Sequence, residues 1–212
     1  MPLDIKQRVS DFLHQAKRHE PFEIPLFPLK TVLFPGGKLS LKVFEQRYME
    51  MVSACLKDKK PFGVCLIREG EETGKPALHA DTGCVAEIID WDMQQAGVLN
   101  IEVLGLQRFH VEEAHIEPNG LIMARAVHIA PEAPQPLPAS HKACATLLRR
   151  LIEHLGAERF SPPLNYDDTV WVSYRLAELL PLKLSARQNM LEMNDSQVRI
   201  EILHSFLAQQ GL

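Results

Sequence analysis

The sequence lacks the features of several large classes of protein. Its longest uninterrupted apolar stretch runs only from Phe62 to Ile67, far short of the roughly 18 residues that a membrane-spanning helix needs. Residues 1–20 carry seven charged side chains, which argues against a secretory signal. The sequence contains no Cys-x-x-Cys pair, no Gly-x-Ser-x-Gly elbow and no His-Glu-x-x-His motif. We therefore expect a protein without a membrane span and without a recognisable catalytic motif.

Basic stretches are also scarce. The chain of 212 residues has a formal net charge of −4, and residues 21–140 alone carry a net charge of −5. Nucleic-acid binding relies on lysine and arginine side chains that neutralise phosphates, so this acidic stretch argues against a nucleic-acid partner. Apolar residues make up 46% and charged residues 24% of the chain, which is typical of a folded globular protein.

Cysteine and histidine are present, but not in the spacings that metal sites use. The four cysteines lie in apolar runs, which predicts buried, reduced side chains in a cytoplasmic protein. The nine histidines are scattered, and His110 and His115 are spaced so that they face apart on either a helix or a strand. Residues 70–76 (GEETGKP) fail as a phosphate-binding loop in both glycine spacing and the Pro76 position. We therefore expect no metal and no cofactor.

The hydrophobic pattern predicts a strand-rich part after an N-terminal helix. Within residues 1–20, positions 4–18 are typical of an amphipathic helix. Residues 21–130 alternate mainly with the period of β-strands, with one helix inserted near residues 48–56. Strands are predicted at 22–27, 39–43, 62–67, 84–91, 98–104, 107–113 and 121–129, with turns at 95–97 and at Gly105. This pattern favours a small, mostly antiparallel, closed or half-closed β-barrel.

A proline-rich segment and four helices are predicted for the remainder. Residues 131–140 contain prolines that neither a strand nor a helix interior accepts, so we expect a stiff linker and a domain boundary there. Residues 141–212 follow the helical period and predict a four-helix unit docked on the β part. The first helix is predicted to end at Gly156, the second to run over about 167–180, and the third to begin after Ser185. The fourth is predicted to be capped by Asn194 or Asp195. Its buried face is predicted to include Val198, Ile202, Leu203 and Phe206.

The most informative stretch is residues 27–48, FPLKTVLFPGGKLSLKVFEQRY. It predicts a strand, a Pro-Gly-Gly turn at 35–37, a second alternating strand and the start of a helix. Glycine at this turn permits the positive φ that a chain reversal needs. We interpret Phe34 and Pro35 as an apolar tip at the turn, and we expect most of Leu33, Leu41 and Phe44 to lie in the core.

This stretch closely resembles the N-terminal substrate-binding domain of Lon proteases, in a stand-alone form. The shared pattern is PLFPL at 25–29, VLFPG at 32–36, Leu39-x-Leu41 and Phe44-Glu45-x-Arg47-Tyr48. Further matches follow in order: FGV at 62–64, GCVAEI at 83–88, GLQRF at 105–109, LAELL at 176–180 and RQNMLE at 187–192. The family usually has threonine where this chain has Cys84. The resemblance covers about residues 22–208.

The resemblance implies an α+β fold. It implies a mostly antiparallel, PUA-like pseudo-β-barrel with one inserted helix, followed by a C-terminal helical bundle. It also implies a non-catalytic module that binds unfolded or exposed polypeptide segments, as an adaptor or accessory in protein quality control. The sequence offers no Walker A motif and no Ser–Lys protease module, so we expect no enzyme activity. A homodimer stays open as an alternative to a monomer.

The candidate substrate-binding residues are Phe34, Pro35, Leu39, Arg47 and Tyr48. We expect apolar contact at the Pro35 turn and a charge-assisted hydrogen bond from Arg47. In an alternative interpretation Glu45, Arg47 and Tyr48 only fix the start of a helix against the sheet. Two other functions stay open: RNA binding, which PUA-like barrels often perform, and a small-molecule sensor or enzyme that uses a cleft between barrel and bundle.

Overall fold

A computed structural model describes residues 20–211 of the chain. The first half contains six strands and one helix: β1 Phe22–Leu29, β2 Lys38–Val43, α1 Gln46–Asp58, β3 Phe62–Glu69, β4 Leu78–Gln95, β5 Val98–Ile116 and β6 Ile122–His128. The second half contains α2 Lys142–Leu155, α3 Thr169–Leu179, α4 Leu184–Glu192 and α5 Ser196–Gln209, with short 3₁₀ helices at Ala139–His141 and Ala157–Arg159. Strands followed by helices confirm the predicted α+β class. The helix predicted over residues 4–18 lies outside the described residues.

The six strands form one mostly antiparallel sheet. Their order is β2-β5-β4-β3-β1-β6, and β6 also pairs with β5. The pairing of β1 with β3 is parallel, and the other pairings are antiparallel. Strands β1, β3, β4, β5 and β6 therefore pair in a closed circuit. Within the described part of the chain, β2 lies outside this circuit and pairs with β5 alone.

Strands β4 and β5 are longer than the alternation predicted. The predicted turn at 95–97 is confirmed, because β4 ends and β5 begins around Gly97, whose φ is 82°. The predicted turn at Gly105 is wrong, because β5 continues through it. Gly105 instead permits a close approach of two main chains: a Cβ at this position would lie 2.3 Å from the carbonyl oxygen of Phe34.

Helix α1 packs one face against the sheet. Its buried side chains include Tyr48, Met51, Val52 and Cys55, at the helical spacing that the sequence predicted. Glu45 stands at the N-cap position of this helix, and its side chain makes no capping hydrogen bond. The helix is confirmed, and its first residue is one position later than Glu45.

Most of the predicted boundaries of the later helices are confirmed. Helix α2 ends immediately before Gly156. Asp168 and Asp195 cap α3 and α5 by accepting main-chain N–H groups of the first turn. The start predicted for α4 is wrong, because the helix already includes Ser185. The hydroxyl side chain suggested a cap, but the N-cap position is occupied by Lys183.

The apolar face predicted for α5 is wrong in part. Val198 and Ile202 are 44% and 40% exposed, whereas Arg199, Ile200 and Leu203 are fully buried. The reason is Arg199, whose guanidinium is satisfied by hydrogen bonds inside the protein. A charged residue therefore defines the buried side of this helix, which an apolar pattern does not reveal.

The proline-rich segment 131–140 packs against the helical half. The Thr169 N–H donates a hydrogen bond of 2.8 Å to the carbonyl oxygen of Gln135. Glu132 accepts hydrogen bonds from Arg199 at 2.9 Å and from the Tyr174 hydroxyl at 2.7 Å. The domain boundary in this segment stays a prediction.

A buried arginine of β5 joins the two halves of the molecule. Arg108 donates to the carbonyl oxygens of Leu191 at 2.8 Å and Met193 at 2.7 Å, and to the Asn194 side chain at 2.7 Å. Hydrogen bonds from a charged donor are strong, and a buried guanidinium without them would be costly. Arg108 belongs to the GLQRF motif, so this part of the family pattern has a structural cause.

Candidate functional site

The Pro-Gly-Gly turn does not present an apolar tip to solvent. Phe34 is 0% exposed, and its ring packs against Tyr174 with centroids 5.6 Å apart. Its interpretation as an exposed contact residue is therefore wrong. The reason is that α3 packs on the turn, where Arg175 donates a hydrogen bond of 2.9 Å to the carbonyl oxygen of Pro35. The turn is part of the joint between the two halves, and Pro35 itself is half-buried.

Arg47 and Tyr48 lie at the start of α1 and are both 5% exposed. Arg47 forms an ion pair of 3.1 Å with Glu45 and donates a hydrogen bond of 3.1 Å to the carbonyl oxygen of Gly120. Its guanidinium carbon lies 4.6 Å from the centroid of the Tyr48 ring. These contacts favour the interpretation in which the three side chains fix the start of the helix against the sheet.

The predicted candidates do not form one cluster. Tyr48 stacks on Phe27 with ring centroids 4.1 Å apart, and burial raises the pKa of its hydroxyl, so the phenol stays neutral. Leu39 lies half-buried in β2. Phe34 and Pro35 belong to the joint with α3 instead. A partner that binds at one place can therefore contact only some of the five predicted residues.

Tyr48 borders a groove that the sequence did not reveal. The groove has a volume of about 290 Å³ and lies between β1 and β2, and we call it the β1–β2 groove. It is lined by Phe27, Leu29, Ser40, Leu41, Lys42, Phe44, Glu45, Tyr48, Glu72 and Thr73. Five of these ten residues are aromatic or aliphatic and five are polar or charged, so the groove offers both apolar contact and polar partners.

Phe44 exposes most of its ring beside this groove. It is 57% exposed, so its predicted place in the core is wrong. The Val43 side chain is buried at the end of β2, and neighbouring residues of a strand point to opposite faces. Two adjacent apolar residues at a strand end were the signal in the sequence, because both cannot face the same core. An exposed phenyl ring loses contact with water when a partner covers it, which favours binding.

The carboxylates of the groove are already engaged. Glu45 accepts a hydrogen bond of 3.3 Å from the Gly74 N–H, in addition to its ion pair. Glu72 accepts a hydrogen bond of 2.6 Å from the main-chain N–H of Lys30. Lys42 is exposed, and within residues 20–211 no ion pair of its ammonium group is found. Lys42 is therefore the charged side chain of the groove that stays available to a partner, whereas each of the two carboxylates already accepts a hydrogen bond.

Two further cavities lie elsewhere in the molecule. One has a volume of about 420 Å³, is mainly apolar and includes Phe22, Met51 and His128. The other is more open, has a volume of about 760 Å³ and includes Arg149 stacked 4.0 Å over the ring of Tyr166. Neither cavity contains a residue of the predicted site.

The described residues show no arrangement typical of metal or thiol chemistry. No group of three or more histidine, cysteine, aspartate or glutamate side chains is placed to hold a metal ion there. The four cysteines are free and buried, as predicted. Burial raises the pKa of Cys55 to about 11 and that of Cys84 to about 12, so these thiols stay protonated near neutral pH. No helix among the described residues has the length and apolar character needed to cross a membrane.

Comparison with known proteins defines the class to which this fold belongs. The family model described as the ATP-dependent protease La (LON) substrate-binding domain matches residues 23–209. The chain therefore belongs to the Lon substrate-binding domain family. This confirms the resemblance carried by the motifs between residues 25 and 192.

Complete Lon proteases are similar to this chain over most of its length. The Lon proteases of Erwinia amylovora and Escherichia coli K12 are each 27% identical, over 207 and 210 residues, and each match covers 92% of this chain. The chain spans 26% of the length of either protease. The match therefore concerns their substrate-binding part.

Two solved structures share the fold. A Lon N-terminal domain protein from Xanthomonas campestris is 34% identical, with a TM-score of 0.73, and the match covers 87% of this chain and 98% of that one. The N-terminal domain of the Mycobacterium avium complex Lon protease is 16% identical, with a TM-score of 0.62, covering 88% and 98%. The first similarity supports the family, and the second shows the same fold.

Proposed function

We propose that this chain is a non-catalytic module that binds unfolded or exposed polypeptide segments. Its place in a family of substrate-binding domains supports this function. The observation that carries the choice of site is Phe44, an exposed aromatic side chain beside a groove whose lining is half apolar and half polar. We further propose that the protein acts in the cytoplasm, as an adaptor or accessory in protein quality control.

The size of the groove indicates what it binds. A volume of about 290 Å³ accommodates one or two side chains rather than a folded partner. Burial of one aromatic ring contributes about 1.5–3 kcal/mol, so contact with Phe44 alone gives weak binding. Weak apolar contact tolerates many sequences, which suits a module that meets different unfolded chains.

The predicted residues take different parts in this proposal. Leu39 and Tyr48 remain candidates for polypeptide contact, whereas Pro35 and Arg47 hold the surrounding structure in place. Phe34 is excluded because it is fully buried. The closed circuit of strand pairings supports a PUA-like pseudo-barrel, and helices α2 to α5 support a C-terminal bundle. Within this proposal, a homodimer stays an alternative to a monomer.

Fluorescence anisotropy with labelled, reduced and carboxymethylated lysozyme tests this function. We expect the wild-type chain to bind this permanently unfolded protein, and Phe44→Ser to weaken binding roughly tenfold. Val198→Ser is the matched control, because Val198 is 44% exposed but lies on α5. Equal losses in both variants would contradict the site, and no binding by the wild-type chain would contradict the function.

A further inference from the structure

Strand β2 has an open edge. Among the described strands it pairs with β5 on one side and with no strand on the other. An unpaired edge presents a row of main-chain N–H and C=O groups with which another extended chain can pair. The edge is short, since β2 runs only over Lys38–Val43.

The ladder between β2 and β5 shows which groups point outward. The Gly105 N–H donates a hydrogen bond of 2.8 Å to the carbonyl oxygen of Gly37, and the same register continues along β2. Antiparallel pairs alternate between bonded and non-bonded positions. The main-chain groups of Leu41 therefore face β5, whereas those of Ser40 and Lys42 point away from it. No main-chain hydrogen bond of these two residues to another described segment is found.

The β1–β2 groove opens directly beside this edge. Ser40, Leu41 and Lys42 all line it, and Phe44 stands at its end. Side chains of an extended segment alternate between two faces. A segment paired with Ser40 and Lys42 would therefore place every second side chain against the groove.

Charge distinguishes two occupants of the edge. If a second copy paired antiparallel about Ser40, Lys38 of each copy would face Lys42 of the other, and like charges directly opposite are destabilising. Lys38 lies 3.7 Å from Glu102, whereas no ion pair of Lys42 is found within residues 20–211. An acidic side chain opposite Lys42 would form a favourable cross-strand pair. The edge therefore suits a foreign acidic segment better than another copy of this chain.

We propose that β2 receives an extended, apolar polypeptide segment with an acidic residue as an added strand of the sheet. The inference rests on the proposed function and names how the polypeptide is held. Main-chain groups of Ser40 and Lys42 pair with the segment, and the groove takes its alternate side chains. Main-chain pairing does not depend on sequence, so the groove and Lys42 set the preference among segments.

Peptides with blocked main-chain donors test strand addition. The parent is a labelled peptide of alternating valine and threonine with one central aspartate. In one derivative the main-chain nitrogens of the valines are methylated, and in the other those of the threonines. Alternate residues of an extended peptide direct their N–H groups to opposite edges, so each derivative lacks the N–H donors of one edge. We expect the wild-type chain to bind the parent and to bind at least one derivative roughly tenfold more weakly. Equal binding of all three peptides overturns the proposal.

Variants of the edge provide a second measurement. Ser40→Pro removes an outward N–H without touching the ladder to β5, and edge strands accept proline at such positions. We expect roughly tenfold weaker peptide binding with a melting temperature close to that of the wild-type chain. Lys42→Glu is expected to reverse the preference between peptides with central aspartate and central lysine. This second variant carries the test if Ser40→Pro does not fold, and an unchanged preference counts against the proposal.

The outcomes separate this inference from the proposed function. If unfolded lysozyme binds and Phe44→Ser weakens that binding, while N-methylation has no effect, groove binding stands and strand addition is overturned. If the wild-type chain binds no polypeptide, the proposed function itself fails. A second copy of this chain is the other possible occupant of the β2 edge, and sedimentation velocity tests for it. If the wild-type chain is a dimer and Ser40→Pro is a monomer, a second copy occupies the edge and the proposal is overturned.

Discussion

Arg175 of α3 donates a hydrogen bond of 2.9 Å to the carbonyl oxygen of Pro35, in the turn that precedes β2. The same buried guanidinium lies 3.2 Å from the carboxylate of Glu178. A Cβ on Gly37 would lie 2.6 Å from that carboxylate, so the turn approaches the ion pair closely. Contact between the two halves of the molecule thus explains Gly37 of the Pro-Gly-Gly motif, whereas Gly36 has the positive φ of 73° that a turn needs. This contact also positions β2, which carries the proposed binding edge.

We predict that Arg175→Leu destabilises the protein by about 1.5–3 kcal/mol, because the charge-assisted hydrogen bond to Pro35 is lost and the half-buried Glu178 carboxylate loses its cation. The free energy of unfolding in urea, followed by circular dichroism at neutral pH, measures the loss. The double variant Arg175→Leu/Glu178→Leu is the control, and we expect it to regain part of the stability. A single variant within about 1 kcal/mol of the wild-type chain would show that the pair contributes little.

We predict that Phe34→Ala lowers stability without removing the binding site. A buried phenylalanine replaced by alanine leaves a cavity and costs about 3–5 kcal/mol of unfolding free energy. Under conditions where the variant is folded, its affinity for unfolded lysozyme should equal that of the wild-type chain. Phe44→Ser should show the opposite pattern, with near-normal stability and weaker binding. Weaker binding by folded Phe34→Ala would return Phe34 to the set of contact residues.

Arg47→Met separates the two interpretations of Arg47. If the side chain fixes α1 to the loop at Gly120, its replacement costs about 1–3 kcal/mol of unfolding free energy, because a charge-assisted hydrogen bond is lost. Affinity for unfolded lysozyme, corrected for the folded fraction, should not change. Lys57→Met is the control for the loss of a positive charge, because Lys57 is exposed on the same helix and does not line the groove. A variant of normal stability but lower affinity would show instead that Arg47 contacts the polypeptide.

Sequence patterns predicted those features of the fold that depend on residues close together in the chain. The helix α1, the turn at Gly97 and the cap at Asp195 each follow from a local run of side chains. The prediction of a turn at Gly105 is wrong because glycine is needed there to let the main chain of Phe34, far away in sequence, approach closely. A glycine required by close approach and one required by a turn look the same in a sequence.

The candidate site was predicted only in part, for a related reason. Aromatic residues in a family motif indicate either the core or a surface, and burial decides between Phe34 and Phe44 only after the chain has folded. Sheet order likewise joins distant strands, so the open edge of β2 has no signature in the run of residues 38–43. The motif therefore contains the region of the proposed site but does not identify the exposed side chain within it.

His128 is expected to make stability depend on pH. Its ring stacks on Phe22 with centroids 4.1 Å apart, beside the apolar cavity under α1. Burial lowers the pKa of His128 below its ordinary value of 6.5, because the charged imidazolium loses hydration there. Between the lowered pKa and 6.5 the unfolded chain binds more protons than the folded one. The stabilisation is therefore complete above pH 6.5 and is lost as pH falls through the folded-state pKa.

His128→Phe keeps the stacked ring but removes the titration. We predict that the free energy of unfolding of the wild-type chain falls relative to that of this variant as pH decreases from about 7.5 to about 5. Urea unfolding at a series of pH values measures the difference between the two proteins. His115→Phe is the control, because His115 lies in β5 and is exposed, and it should not reproduce the effect of His128→Phe. A difference between wild type and His128→Phe that stays constant with pH would show that the His128 ring titrates alike in the folded and unfolded states.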